Sequence, residues 1–421
     1  MENLLEINEG TAPETNFRIP TNLFWIGFIV YAASFSISAT DQVSFIIVNL
    51  LQVIALGMIL PSAVLLMEFK IENAYLRGIF ILYFFWLITV VIRGISFDYD
   101  SVKQMLFNPI RGVLQYFVPL VILFRKNFSF YRRLFDAIYV LGFIYLIFSI
   151  FVIKEILSPS NYYLSQGIVE DFSQHLSFAS GFLLLTFLYH SKSRNLFAVF
   201  IIFLTFLFAV LRARRGLMFM SFSMLFFAFI VYQYVNKTKV TNMILSVFLV
   251  LLLSYMAMKV YQENRKDTFG LLTERIGDDT RSEVERYFYS DFKTKDWLIG
   301  RGMNGQYFCP GVEDGEGRIS VYRGVIETGY LQIILNGGII SLFLLVIIAI
   351  PGMIKGFFTS NNLLSKAAGI WIVLFFLYAY PGGPAIFTLN YTLVWISIGI
   401  CYSEKIRKMS DTDILVLLKS K

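Results

Sequence analysis

The sequence predicts an all-α, polytopic integral membrane protein, and three observations carry that prediction. Apolar runs fill most of the 421 residues, of which 57% are hydrophobic and 15% charged, with a mean hydropathy of +0.66. Runs of about 18 or more apolar residues read as membrane helices, because a helix rising about 1.5 Å per residue needs that length to cross the hydrocarbon core. Lys and Arg gather in the short connections between these runs, and one long polar stretch, 261–328, interrupts them late in the chain.

Twelve candidate spans follow, at about 23–38, 44–67, 75–92, 110–124, 134–153, 169–189, 195–211, 216–235, 241–260, 329–350, 364–380 and 384–402. The first nine occupy 22–260 and the last three 329–402, flanked by an N-terminal segment, 1–21, and a tail, 403–421. The fourth is short. The stretch 93–108 before it reads as interfacial, since Asp98, Asp100 and Lys103 alternate with Phe97, Val102, Met105 and Leu106. The first 21 residues carry acids and no apolar core of their own, so no cleaved signal peptide is expected and the first span serves as insertion signal.

Orientation follows from the basic residues of the short connections. The connections 68–77, 125–133, 190–195, 236–239 and 352–366 and the tail each carry at least two, the second of them Arg125, Lys126, Arg132 and Arg133. The opposite connections, 40–42 and 381–384, carry few or none. Both termini are therefore expected in the cytoplasm and the polar loop outside. The turn between spans 7 and 8 breaks the rule by placing Arg212, Arg214 and Arg215 on the outer side. Crossing the membrane twice returns the chain to the side it left, so this cluster and the polar loop share a face whatever the span count.

Several classes of chemistry find no support. Cys309 and Cys401 lie far apart, and the two histidines lack a paired ligand spacing, so neither a disulfide framework nor a metal site is expected. A net charge of +7 that follows topology does not point to nucleic acid. There is no Walker-type Gly-Lys-Ser/Thr. No internal repeat is visible, which weighs against a two-halved transporter.

The groups that remain lie near the outer face. Arg212, Arg214 and Arg215 suit bidentate contact with phosphate oxygens, the alternative being pairing with loop acids such as Asp278, Asp279 or Glu283. Arg301, Arg318 and Arg323 are expected to complete a basic pocket. Glu327 precedes the tenth span with Thr328, Gly329 and Tyr330; it reads either as a helix-start carboxylate or as a general base for a sugar hydroxyl. Asp171 and His175, at i and i+4 of the sixth span, share a face and form a second candidate base. The acidic turn 313–316 fits no Ca²⁺ loop. Tyr287, Phe288, Tyr289, Trp297 and Tyr307 are expected to pack a small core within the loop, the alternative being to stack on sugar rings.

This layout resembles the O-antigen polymerase and ligase superfamily, bacterial inner-membrane glycosyltransferases with a GT-C-like helical fold. The segment 297–304, Trp-Leu-Ile-Gly-Arg-Gly-Met-Asn, is similar to the family's Leu/Phe-x-Gly-x-Gly turn. The segment 327–341 is similar to its His-Asn-x₉-Gly-x-x-Gly signature, and 211–217 to its Ser/Ala-Arg-Gly segment. Ligases carry His where this chain has Glu327 and Asn where it has Thr328, and the closing Gly is Ser341, so the polymerases are the better match. The resemblance implies a cytoplasmic-membrane enzyme that moves a glycan from one undecaprenyl pyrophosphate to a repeat unit on another, with membrane lipids and a chain-length regulator as further partners and no cofactor. Within it, the arginines and Tyr330 would bind substrate and Glu327 would be the base. Transfer of finished polymer to an acceptor (a ligase) and flipping of lipid-linked oligosaccharides are the alternatives.

Overall fold

The computed structural model describes residues 15–95, 97–108, 112–125, 127–157, 162–237, 281–310, 321–383 and 385–419, with isolated positions between 241 and 273. In chain order its main helices are α1 (Thr15–Ser38), α2 (Phe45–Leu66), α3 (Ala74–Gly94), α4 (Tyr99–Phe107), α5 (Leu114–Phe117), α6 (Phe128–Phe151), α7 (Tyr162–Phe172), α8 (Ser180–Leu185), α9 (Lys192–Leu211) and α10 (Arg215–Val235). The polar segment contributes α11 (Arg281–Asp291), α12 (Thr294–Ile299) and the antiparallel pair β1 (Tyr307–Phe308) and β2 (Tyr322–Arg323). Then come α13 (Gly329–Phe358), α14 (Leu363–Tyr378), α15 (Leu389–Tyr402) and, in the tail, α16 (Glu404–Lys408) and α17 (Asp411–Lys419).

Among the described residues, seven helices are long and apolar enough to cross a membrane, and three shorter apolar stretches pack with them. The protein is thus an all-α, membrane-embedded chain. Large apolar side chains such as Ile46, Val64 and Phe85 stay more than half exposed on the bundle's rim, where lipid replaces the water a soluble protein would avoid. Inside, close approach holds helices together, as expected where the solvent is itself apolar. Gly27 of α1 leaves room for nothing larger, since a Cβ there would lie 2.8 Å from Met58 Cβ and 2.9 Å from Ala55 O of α2.

Each expected span overlaps a described helix except the ninth, 241–260, which lies almost wholly outside the described residues. Two differ in form. The fourth is helical only over Leu114–Leu123, and from Val118 onward in tight 3₁₀ turns, about 18 Å in all. The sixth begins earlier than expected, at Tyr162, and is not one helix. After α7 the chain makes a wider π turn over Ser173–Ser177, continues as α8, and ends in a 3₁₀ turn, Phe187–Tyr189. The stretch expected to be interfacial contains α4, whose first turn is capped by Asp98 through Ser101 N at 2.9 Å.

The basic connections gather at one end of the bundle. Arg125 pairs with Glu68 at 2.9 Å and Arg194 with Asp136 at 2.7 Å. The Asp411 carboxylate accepts from Tyr189 Oη at 2.5 Å and from Leu363 N, at the start of α14, at 2.7 Å.

At the other end the polar segment has its own small core. Phe288 and Tyr307 are fully buried there with Val284, Phe292, Cys309 and Ile326, against Leu331, Ile334 and Leu335 of α13. Trp297 meets the Phe288 ring edge-on, while Tyr289 stacks on Trp297 from outside. The loop aromatics are packing residues, as their place in a polar sequence suggested.

The glycine turn after α12 fastens this core to the membrane helices. Gly338 interrupts α13 with φ +68°, breaking the internal hydrogen-bond ladder. The carbonyls of the preceding turn are taken up by the loop: Arg301 N donates to Leu335 O at 2.7 Å and Gly302 N to Asn336 O at 2.9 Å. Gly300 and Gly302 themselves have φ +70° and +86°, a region open to glycine at little steric cost. The same turn is bound to α3. Met303 N donates to Val90 O, Asn304 Nδ2 to Gly94 O, and the Arg93 guanidinium to Ile299 O and Gly300 O. Trp86 of α3 completes the joint by donating to Gly337 O at 3.0 Å and Ser341 Oγ at 2.9 Å.

Candidate functional site

A sharp reversal between α9 and α10 sets the first wall of the site. Ala213 takes the left-handed conformation with φ +52°. Arg214 N donates back to Ala209 O and Ala213 N to Val210 O, the paired bonds of a Schellman motif. Glycine usually holds that left-handed position; alanine there costs about 1 kcal/mol. The reversal carries Arg214 and Arg215 straight from the end of one span into the start of the next.

These two arginines open on a cavity of about 500 Å³, within the range of small-ligand sites. Arg281 of α11, Glu327, Gln332 and Asn336 of α13, and the connection Pro381 to Gly383 also line it. The polar loop and the arginine turn therefore meet at one site. Arg281 binds three segments together: Nε donates to Glu327 Oε2 at 3.1 Å, Nη2 to Pro381 O at 2.8 Å, and Nη1 to Tyr380 O at 3.5 Å. Gly216, the second residue of α10, gives Pro381 room to pack, since a Cβ there would lie 3.1 Å from its carbonyl oxygen.

The remaining walls differ in kind. Leu87 and Val90 of α3 with Ile333 and Leu345 of α13 make an apolar side. Polar groups come from α7, where Tyr163, Gln166 and Glu170 line the cavity, followed by Gln174 in the π turn. Glu170 forms an ion pair with Arg214. Deeper in, Asn336 Nδ2 donates to Tyr116 Oη at 2.9 Å, and Gln332 Oε1 accepts Ile326 N at 2.8 Å. The short α5 brings Gln115 and Tyr116 to the cavity.

The other expected site residues lie elsewhere. Arg212 is buried behind the turn, its carbonyl accepting Gln166 Nε2 at 2.8 Å. Arg301 is tied into the loop core by Asp291 and Asp296 at 2.5 and 2.8 Å and covers the Phe292 ring. For Asp296, burial pushes the carboxyl up, but the Arg301 hydrogen bond and the Lys293 N–H bring it below its ordinary value. Arg323 sits on β2 opposite Tyr307, and Tyr330 Oη donates to Phe376 O. Arg318, Asp278, Asp279 and the turn 313–316 lie outside the described residues.

Asp171 and His175 do share a face, joined by His175 Nδ1 on the Asp171 carbonyl at 3.0 Å. His175 packs on Phe35 of α1, and neither residue lines the cavity. Their neighbours Glu170 and Gln174 do. Sequence reasoning passed over Glu170, Gln174, Arg281, Gln332 and Asn336. The signal available was spacing: 166, 170 and 174, and again 332 and 336, recur every four residues on otherwise apolar spans. Among the described residues, no group of three or more His, Cys, Asp or Glu is placed to hold a metal ion.

The chain matches no known family model, no curated protein and no solved structure. Three guanidinium groups, two carboxylates and apolar side chains line one cavity, a combination suited to an anionic, amphipathic group.

Proposed function

We propose that this protein is a membrane glycosyltransferase of the O-antigen polymerase kind, joining repeat units carried on undecaprenyl pyrophosphate. The observation that carries this reading is the convergence of Arg214, Arg215, Arg281 and Glu327 on one cavity that also has an apolar wall. An amphipathic donor asks for that pairing of surfaces.

In the proposed reaction the terminal hydroxyl of an acceptor glycan attacks the anomeric carbon of the donor glycan. A bond forms from the acceptor oxygen to that carbon, and the bond from carbon to pyrophosphate oxygen breaks. Lipid pyrophosphate leaves with the electron pair. Arg215 and Arg281 offset the negative charge that grows on it, which is the kind of stabilisation worth most in a water-poor site. The acceptor's proton passes to the Glu327 carboxylate, whose place at the membrane end of the loop suits a substrate held in the bilayer. The glycosyl pyrophosphate supplies the driving force, so no nucleotide is needed. The outer face of the bacterial inner membrane, with both termini in the cytoplasm, is the location this reading requires.

Deleting the gene in its host and separating the surface polysaccharide on a gel tests the proposal. Loss of a polymerase leaves one repeat unit on its acceptor. Loss of a ligase leaves none and accumulates lipid-linked polymer. Unchanged chain lengths would overturn the assignment.

A further inference from the structure

The cavity wall contributed by α7 and the π turn has a chemistry that the pyrophosphate step does not use. Tyr163, Gln166, Glu170 and Gln174 all line the cavity, and their spacing of three or four residues puts them on one face. Polar groups so arranged on a membrane span face a cavity for a reason, since in lipid they would be costly. Glu170 links two of its neighbours: Oε1 accepts Gln174 Nε2 at 3.2 Å, and its carboxylate pairs with Arg214. That ion pair cancels the charge of the wall. Beside it the wall carries amide and phenol groups, which both donate and accept hydrogen bonds. Tyr163 stands at the rim with 82% of its surface exposed.

A neutral polyhydroxylated ring is the ligand this chemistry fits. Amides match its hydroxyls, and an aromatic face covers its C–H side. The apolar wall of α3 and α13 suits the donor's lipid, which leaves α7 for the other reactant. Resting on the polymerase reading above, we infer that Tyr163 and Gln174 form the acceptor subsite, binding the neutral terminal sugar of the incoming glycan. Glu170 is a positioning residue that orients Gln174 toward the acceptor and Arg214 toward the pyrophosphate.

Steady-state kinetics with the full chain in lipid nanodiscs separate the two reactants. The donor is the lipid-linked repeat unit extracted from cells deleted for the gene. The acceptor is the same unit released by mild acid and fluorescently labelled at its reducing end. Tyr163→Ala and Gln174→Ala should each raise the acceptor KM about tenfold, the size expected for one lost hydrogen bond or ring contact, while the donor KM stays within twofold. Tyr163→Phe, which keeps the ring, should restore the acceptor KM. Glu170→Gln should raise both KM values. An unchanged acceptor KM in the two alanine variants overturns the subsite, as does a rise confined to the donor KM. A wild-type enzyme that joins no units overturns the proposed reaction itself and the subsite with it. Thermal unfolding at the wild-type temperature confirms that each variant is folded.

Discussion

Arg281 and Glu327 stand 46 residues apart in sequence, toward opposite ends of the polar segment, and meet through an Nε to Oε2 contact of 3.1 Å. Because the same guanidinium also holds the carbonyl of Pro381, one side chain joins α11, the end of the loop, and the connection between α14 and α15. An exposed ion pair alone is worth little. Its value here lies in fixing a cation and a carboxylate at the cavity.

The pair can be tested for chemistry apart from structure. Glu327→Gln keeps an oxygen for Arg281 to donate to but removes the proton acceptor, so transfer should slow about 10²- to 10⁴-fold at unchanged protein abundance, the usual contribution of a general base. Arg281→Ala should lose activity by a different route, through a raised donor KM. Exchanging the two, Arg281→Glu with Glu327→Arg, should preserve abundance without restoring polymer. Wild-type chain lengths from Glu327→Gln would remove the base assignment.

Gly300 and Gly338 should resist substitution. Both have left-handed backbone, and a Cβ on Gly300 would lie 2.5 Å from the carbonyl carbon of Asn336. Alanine at either position should cost more than about 1–2 kcal/mol, the left-handed penalty alone, with the steric clash added. Gly57 of α2, where a Cβ meets nothing within 4 Å, is the control: alanine there should be neutral or stabilising by up to about 1 kcal/mol. Thermal unfolding in detergent, with limited proteolysis of the loop, reads the difference.

Alanine 213 invites the opposite change. Its φ of +52° suits glycine, so Ala213→Gly should stabilise the α9–α10 reversal by about 1 kcal/mol, less the entropy that glycine adds to the unfolded chain. A higher melting temperature checks this. A marked fall would show that the alanine methyl packs the arginine turn.

The loop core should weaken in acid. Asp296 is held below its ordinary carboxylate value despite burial, chiefly by Arg301. A group depressed in the folded state binds more protons when unfolded, so its contribution is full above the unfolded value and is lost as pH falls through the folded one. Trp297, beside Asp296, reports this by fluorescence. Arg301→Ala should abolish the acid-dependent change and lower loop stability near neutral pH.

The long apolar runs made most spans legible from sequence, because period and length are local properties. The sixth began seven residues before its expected start because Ser165 and Gln166 break its apolar pattern there, as Glu170 does just inside it. Gln166 and Glu170 belong to the cavity wall. Asp171 attracted attention through its spacing to His175, yet one residue is a rotation of about 100° on a helix, enough to put Glu170 on the cavity and leave Asp171 off it. Arg301 and Arg323 were expected at the site and Arg281 was passed over, although nothing local distinguishes the three as loop arginines. What separates them is which carboxylate or carbonyl the folded loop brings near, and that depends on contacts far apart in the chain, such as Arg281 with Pro381. The Gly-rich turn and the glycines of the tenth span were each visible alone; that they fit against each other was not.

That fit has a consequence for biogenesis. The loop's glycine turn hydrogen-bonds to Leu335 and Asn336, and its core is closed by Leu331, Ile334 and Leu335, all in a span synthesised after it. On the outward orientation proposed above, the polar segment reaches the far side of the membrane before the surface that completes it exists. Its final folding must therefore wait for insertion of α13, and a chain stopped at Thr328 should translocate this segment yet leave it open to protease. Closure of the site and completion of the tenth span are a single event.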